Sequence, residues 1–99
     1  MTTSTDIDIW REDGETKGRY VARLDAIEAE MTFSRLGASS IIIDHTGVPD
    51  ALRGRGVGQA LVERGVMEAR AAGVTIVPLC PFAKAQIARH PDWQDVLKR

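Results

Sequence analysis

The chain has 99 residues, 43% apolar and 27% charged, a composition typical of one folded domain and too apolar for a disordered chain. Its net charge of −1 argues against a dedicated nucleic-acid-binding protein, which needs a basic surface. The charge is uneven: residues 1–49 carry five basic and nine acidic side chains (net −4), and residues 50–99 carry eight and five (net +3). An anionic ligand is therefore expected on the C-terminal half of a single domain, 1–99.

Several classes of protein are excluded by simple counts. Cys80 is the only cysteine, which excludes an intramolecular disulfide framework and a cysteine cluster for zinc, and no metal site is expected. The longest aliphatic run, Ile41–Ile43, is far shorter than the roughly 20 residues that span a bilayer. The start of the chain has no basic or apolar segment of the kind found in signal peptides, and residues 1–5 are expected to be flexible. These features predict a cytoplasmic protein with no membrane partner.

Short strands are predicted in the N-terminal half. Ile7 and Ile9 alternate with polar residues in the segment up to Trp10, and the segment Glu12–Glu15 predicts a turn. Tyr20, Ala22 and Leu24 share one parity, and the apolar residues of Ile27–Ser34 stand at odd positions, which indicates strands with one buried face. The segment Ser40–Val48 is rich in β-branched residues and predicts a central strand. Short turns would join these strands in an antiparallel meander.

The second half changes to helical periodicity. The segment Gln59–Ala72 has apolar residues at three- and four-residue spacing, with Gly73 placed to end the helix and Gly65 expected to pack closely on the sheet. The short apolar strand Val74–Leu79 should then lie parallel to the last meander strand. A second helix is predicted over Phe82–His90. The predicted fold is α+β, with the order ββββαβα and one parallel strand pair.

A glycine-rich turn, Arg53–Gly58, lies between a strand and a helix. Successive backbone N–H groups at the positive end of a helix dipole suit a phosphate or pyrophosphate, and Arg53 and Arg55 would add charge. A Rossmann fingerprint is excluded because Gln59 stands where its third glycine belongs, and no Gly-Lys-Ser/Thr follows for a Walker loop. The alternative is that the turn serves only to reverse the chain.

The residues in and around the turn indicate which kind of phosphate-containing ligand it could bind. The stretch Val48-Pro49-x-x-Leu52-Arg53-Gly54-x-Gly56-Val57-Gly58 contains Arg-x-x-Gly-x-Gly and resembles the acyl-CoA-binding motif of the GNAT superfamily of N-acetyltransferases. Three further stretches are similar to its compact, roughly hundred-residue branch: His45-Thr46-x-Val48-Pro49, Pro78-x-Cys80-Pro81-Phe82 and Ile87-x-x-His90-Pro91. This resemblance, over residues 40–95, implies a GNAT-like fold whose two parallel strands splay apart around the pantetheine arm of coenzyme A.

The same resemblance implies acetyl-CoA as co-substrate and assigns residues to it. The pyrophosphate would lie on the backbone of Arg53, Gly54, Arg55, Gly56, Val57 and Gly58. The main chain of Val48 would bind the pantetheine amides, and Cys80, Pro81 and Phe82 would line the thioester end. Larger members carry extra elements that shape the acceptor pocket. This chain has no room for them, so a large acceptor would lie across an open surface.

Two residues are candidates for the chemistry. His45 has the parity of Ile41 and Ile43 near the end of the splayed strand, and its ordinary pKa of about 6.5 suits a general base. Cys80 ends the opposite strand and could accept the acetyl group, with His45 generating its thiolate. The alternatives are a histidine held within the sheet and a small buried cysteine. Direct attack by the amine, which is usual in the superfamily, also remains open.

Other conspicuous side chains are expected to be structural. His90 should cap the last helix, and Tyr20, Trp10 and Trp93 should pack, although the two tryptophans near the chain ends could also form a dimer face. The carboxylates of Glu28 and Glu30 should be solvated, or could attract a cationic acceptor.

The function predicted is therefore acetyl-CoA-dependent N-acetyl transfer to a primary amine of a small molecule or protein lysine, by a monomer or weak homodimer. One alternative is an acyl-CoA-binding module without transferase activity. Another is a nucleotide- or nucleic-acid-binding domain that uses Arg53 and Arg55, against which the acidic N-terminal half argues.

Overall fold

The computed structural model describes residues 7–98, so the predicted flexibility of residues 1–5 concerns residues outside the described part. Five strands form one sheet in chain order: β1 Asp8–Asp13, β2 Lys17–Leu24, β3 Ile27–Leu36, β4 Ser40–Gly47 and β5 Thr75–Pro78. The first four pair antiparallel, and β5 pairs parallel to β4. The predicted meander and its parallel pair are confirmed.

Two α-helices follow the meander, α1 over Val57–Ala72 and α2 over Pro81–Ala88. The predicted order ββββαβα is thus confirmed, and Gly73 ends α1 in the left-handed conformation at φ 71°. The start of α1 differs by two residues from the predicted Gln59, because Gly56 adopts φ 79° and lets the helix begin directly after it. Two 3₁₀-helices, Asp50–Leu52 and Pro91–Val96, were not predicted.

The turn between β1 and β2 is shorter than the sequence predicts, because β1 extends further toward it. The segment Glu12–Glu15 is predicted as a turn, but β1 continues through Asp13, which pairs with Gly18. Arg19 on β2 holds Glu12 through a 2.8 Å hydrogen bond across the two strands. The charged residues at the end of β1 therefore belong to the strand, and the prediction of a turn at Glu12 and Asp13 is wrong.

Both helices cover one face of the sheet, here called the core face. Alternate residues of β2 and β3 are buried there in one cluster with the apolar stripe of α1, among them Tyr20, Ala22, Met31, Phe33, Leu61, Val62 and Val66. A Cβ atom added at Gly65 would lie 3.0 Å from Met31 Cε, so the predicted close packing of this glycine on the sheet is confirmed. The opposite face, here called the far face, carries Trp10, Val21 and Ile42 among charged and polar side chains.

The C-terminal segment packs against the same core. Trp93 is 2% exposed and stacks on the His90 ring at 3.7 Å, and His90 Nδ1 donates to the Gln86 carbonyl at 2.8 Å. The predicted capping role of His90 is confirmed, whereas a dimer face that includes Trp93 is wrong because that side chain is buried. Trp10 is half-buried on the far face and is not part of the core.

Within residues 7–98 no helix is long and apolar enough to cross a membrane, and no cluster of His, Cys, Asp or Glu could hold a metal ion.

Candidate functional site

A β-bulge in β4 decides which side chains reach the site. Phe33 pairs with Ile43 and Thr32 pairs with His45, so Asp44 is an extra residue without a partner on β3. A bulge of this kind reverses the alternation of side chains, because two residues on one strand face one on the other. Residues of β4 after Asp44 therefore point to the face opposite to the one their parity predicts.

The reversal exchanges His45 for Thr46. Thr46 lies opposite the core-face residue Met31, while His45 is exposed on the far face. The prediction that His45 shares a face with Ile41 and Ile43 is therefore wrong. The bulge at Asp44 contains no glycine or proline that could have indicated it in the sequence, so strict alternation along β4 is expected and assigns His45 to the wrong face.

The parallel strands separate just beyond the bulge. Register between β4 and β5 ends at Ile43 and Pro78. The Ile43 carbonyl accepts hydrogen bonds from the amides of both Leu79 (3.1 Å) and Cys80 (3.0 Å), and the chain then turns into α2 while β4 continues to Gly47. The predicted splay of these two strands is present, and it opens a cleft between the end of β4 and the start of α2.

The cleft has a volume of about 480 Å³. Seven of the residues predicted to bind coenzyme A line it: Val48, Arg53, Gly54, Gly56, Val57, Gly58 and Phe82. Four lining residues were missed by sequence reasoning: Thr46, Leu52, Gln59 and Gln86. Gln86 could have been found, because it follows Phe82 by four residues on a predicted helix and so shares its face. Thr46 was hidden by the bulge.

The N-terminus of α1 forms one end of the cleft, and its backbone amides can bind an anion. The first hydrogen bond of α1 runs from Ala60 N to Gly56 O at 3.0 Å, which leaves the amides of Val57, Gly58 and Gln59 without intrahelical acceptors. No side chain caps this end and its first turn holds no acidic residue. These amides and the helix dipole together favour a phosphate at the start of α1.

The two arginines of the glycine-rich turn behave differently. Arg53 lines the cleft, is largely exposed, and its Nε lies 3.1 Å from Asp50 Oδ1. Arg55 does not line the cleft, because its guanidinium donates to Asp25 in the β2–β3 turn at 3.1 Å. Of these two arginines, Arg53 is thus the one whose side chain is positioned to meet a phosphate in the cleft.

The opposite wall depends on a close approach of the two helices. A Cβ atom added at Gly58 would lie 2.7 Å from Phe82 Cζ and 3.4 Å from Val48 Cγ2. The Phe82 ring therefore packs directly on the backbone of α1, where only glycine leaves room. This contact fixes the apolar wall of the cleft next to the anion end.

The sequence profile of the GCN5-related N-acetyl-transferase family matches residues 19–96, which include the glycine-rich turn and both separated strands. The chain belongs to the GCN5-related N-acetyltransferase family. An NMR solution structure of a GCN5-like protein from Staphylococcus aureus has 34% sequence identity and a TM-score of 0.68, over 95% of this chain and 90% of that chain. None of the curated proteins matches this chain.

In this member of the GCN5-related N-acetyltransferase family, Cys80 lies at the edge of the site. Its side chain is 5% exposed, and neither Cys80 nor Pro81 is among the cleft-lining residues. The Cys80 thiol donates to Thr46 Oγ1 at 3.4 Å. The structure therefore brings Cys80 together with Thr46, not with His45, which lies on the far face.

The surroundings of Cys80 favour its thiolate. Burial acts to raise the pKa of the thiol, but the Thr46 hydroxyl and the backbone amides of Ala83 and Phe82 act more strongly, so the pKa lies below its usual value. These groups are all uncharged. The amides belong to the first turn of α2, where helix N-termini stabilise negative charge.

Proposed function

We propose that this protein is an acetyl-CoA-dependent N-acetyltransferase that acts on a primary amine. The observation that carries the proposal is the uncapped N-terminus of α1, which opens into the cleft between separated parallel strands. Membership of the family supports the reaction type, and the chemistry of the cleft supports the donor. Sequence reasoning adds a cytoplasmic location as a prediction.

In this proposal the parts of coenzyme A lie along the cleft in order. The pyrophosphate would lie on the amides of Val57 and Gly58, with Arg53 beside it. The glycines at 54 and 56 leave more than 4 Å of open space where a Cβ would stand, so a ligand can approach the backbone. The pantetheine arm would then pass Val48 and Phe82 toward Thr46, and the Gln86 amide could bond its polar groups.

The acceptor is a small-molecule amine or a protein lysine. Glu28 and Glu30, considered for a cationic acceptor, lie on the far face and are engaged by arginines, Glu28 by Arg23 at 2.9 Å and Glu30 by Arg19 at 2.7 Å. Their charges are therefore largely balanced within the sheet. The amine would reach the thioester end from the open side of the cleft.

Calorimetric titration with acetyl-CoA tests the proposal, with 3′-dephospho-CoA and adenine nucleotide as control ligands. We expect one-to-one binding, and Arg53→Gln should weaken it by about tenfold, or 1.4 kcal/mol, if the guanidinium meets phosphate. Arg64→Gln is the matched control, because Arg64 lies on α1 but pairs with Glu68 away from the cleft. No binding by the wild type at millimolar acetyl-CoA would refute the function.

A binding module without transferase activity is the second candidate. It is favoured by one observation: the predicted catalytic pair is divided, with His45 on the far face and Cys80 buried on the core side. Loss of thioester absorbance on mixing the protein with acetyl-CoA and hydroxylamine, a small reactive acceptor, separates the two once the uncatalysed reaction measured without protein is subtracted. Turnover supports the enzyme, while tight binding without turnover supports the module.

A further inference from the structure

Acetyl transfer from a thioester needs a proton for the departing sulfur. The amine forms a C–N bond as the C–S bond breaks, and the thiolate that leaves is stabilised when an acid protonates it. The cleft itself offers few such groups. Arg53 lines it, but a guanidinium does not give up its proton in proteins.

The other side chains that could supply this proton are engaged elsewhere. Tyr20, the only tyrosine in the chain, donates its hydroxyl to Glu68 Oε1 at 3.1 Å on the core face under α1. His90 Nδ1 donates to the Gln86 carbonyl, and its ring stacks on Trp93. His45 lies on the far face. Among residues 7–98, this leaves the hydroxyl of Thr46 as the transferable proton that lines the cleft.

Thr46 alone is too weak an acid, but it has a partner behind it. Its Oγ1 accepts a hydrogen bond from the Cys80 thiol at 3.4 Å, and Cys80 is closed off from the cleft at 5% exposure. A chain of donors therefore runs from a buried thiol to a hydroxyl on the cleft surface. This order suits proton transfer better than nucleophilic attack, because the sulfur does not line the cleft.

We propose that Cys80 and Thr46 form a proton relay in which Cys80 is the acid and Thr46 passes its proton to the sulfur of the departing coenzyme A. This inference rests on the proposed function and makes direct attack by the amine the route. As the C–S bond breaks, the coenzyme A sulfur takes the Thr46 hydroxyl proton and Thr46 Oγ1 takes the Cys80 thiol proton. The amine releases its proton to water at the open side of the cleft. After coenzyme A leaves, Thr46 Oγ1 takes a proton from water in the cleft and passes its own proton back to the Cys80 thiolate, so the protein ends unchanged.

The surroundings of Cys80 agree with an acid. Thr46 and the backbone amides of Ala83 and Phe82 hold the pKa of the thiol below its usual value, against the opposing effect of burial. A general acid works best when its pKa approaches the working pH. The anion left on Cys80 after transfer would be stabilised by the same three groups.

The first test measures the Cys80–Thr46 contact without turnover. Because the chain has one cysteine, thiolate absorbance at 240 nm reports Cys80 when it is followed below the pH at which Tyr20, the one tyrosine, ionises. Thr46→Val removes the hydroxyl at nearly constant shape and should raise the pKa of Cys80, while Thr46→Ser keeps the hydroxyl and should restore it. An unchanged titration in Thr46→Val overturns the relay, and circular dichroism confirms that each variant is folded.

The second test measures the role in transfer, with acetyl-CoA and hydroxylamine as substrates. Thr46→Val should lower the rate by at least about tenfold with the coenzyme A affinity unchanged, and Thr46→Ser should recover most of the rate. A Thr46→Val enzyme with the wild-type rate overturns the relay while leaving the proposed function intact. Wild-type protein that binds acetyl-CoA without turnover overturns both the transferase and the relay.

Intact-mass measurement separates the acid from a nucleophile. The relay predicts that wild-type protein incubated with acetyl-CoA alone carries no acetyl group on Cys80. An acetyl adduct that forms at the rate of turnover and is absent in Cys80→Ala overturns the relay in favour of a covalent route. Cys80→Ser tests the acid kinetically, because a serine hydroxyl is a far weaker acid and should reduce the rate as Thr46→Val does. A wild-type rate in Cys80→Ser overturns the relay.

Discussion

The two faces of the sheet use different forces. At the core face, side chains such as Met31 on the sheet and Leu61 on the helix that covers it are fully buried, and their positions are fixed by packing. On the far face, Arg19 bonds Glu12 at 2.8 Å and Glu30 at 2.7 Å, with all three side chains substantially exposed. Buried apolar area stabilises a fold strongly, whereas exposed ion pairs contribute little. The cleft lies on the face where position is set by packing.

The largest expected difference between the faces is in stability. Leu61→Ala on the core face should lower the free energy of unfolding by about 2–5 kcal/mol, because the side chain is fully buried and leaves a cavity. Ile42→Ala is the matched far-face variant and should lower it by clearly less, because Ile42 is only half-buried. Urea denaturation measures both. Equal losses would show that the far face is packed as tightly as the core.

A second difference concerns two glycines of α1. Gly58→Ala should weaken coenzyme A binding by about tenfold, because its Cβ would stand 2.7 Å from the Phe82 ring and push it into the cleft. Gly65→Ala also adds a methyl group on the core face, but its nearest neighbours would be the flexible end of Met31 at 3.0 Å and the Tyr20 ring at an ordinary contact distance of 3.9 Å. That variant should bind coenzyme A as the wild type does. Wild-type affinity in Gly58→Ala would mean that the Phe82 wall is not part of the binding site.

The fold was largely predictable because most of its periodicities are undisturbed. Alternation over Ile27–Ser34 and helical spacing over Gln59–Ala72 each follow one face of one element, and burial follows them. The errors come where backbone pairing overrides local signals. Glu12 and Asp13 have turn-like composition, but cross-strand bonding keeps them in β1.

The site was predictable where it depends on backbone conformation and less so where it depends on side-chain direction. Glycines in sequence marked the anion end, because glycines directly before a helix let a ligand approach its N-terminus. The partner of Cys80 could not be found, because one extra residue at Asp44 exchanges His45 and Thr46 between the faces. Such a bulge depends on pairing with β3, which a local pattern does not contain.

One aromatic residue on each face of the sheet donates a hydrogen bond to a glutamate. Tyr20 is 2% exposed and donates to Glu68, whereas Trp10 on the far face donates to Glu12 at 3.0 Å in an exposed position. Tyr20→Phe should lower the free energy of unfolding by about 1 kcal/mol at neutral pH, because it removes a partly buried hydrogen bond to Glu68, which keeps Arg11 and Arg64 as donors. Trp10→Phe should change it less through the lost bond, because water can replace the indole donor.

The same tyrosine predicts a pH dependence. Burial is the main cause that raises the pKa of Tyr20 above its usual value, so the folded state favours the neutral phenol. This contribution to stability is fully present below the unfolded pKa of about 10 and is lost as pH rises through the folded value. Urea midpoints between pH 9 and about pH 11 should therefore fall more steeply for the wild type than for Tyr20→Phe. Parallel curves would show that Tyr20 ionises as it does in the unfolded chain.

The smallest expected effect is at Arg19, although it forms ion pairs with two glutamates on the far face. Glu30 and Glu12 raise its pKa, so its charge is constant over the working range. Arg19→Gln should leave the urea midpoint nearly unchanged, because water and salt already screen these exposed charges. Glu30→Gln is the matched variant on the partner side, and both should be compared at low and high salt. A large fall in the midpoint at low salt that disappears at high salt would mean that the ion pairs hold β2 and β3 together. Stability would then be shared between the two faces, and the distinction between a packed face and a solvated one would fail.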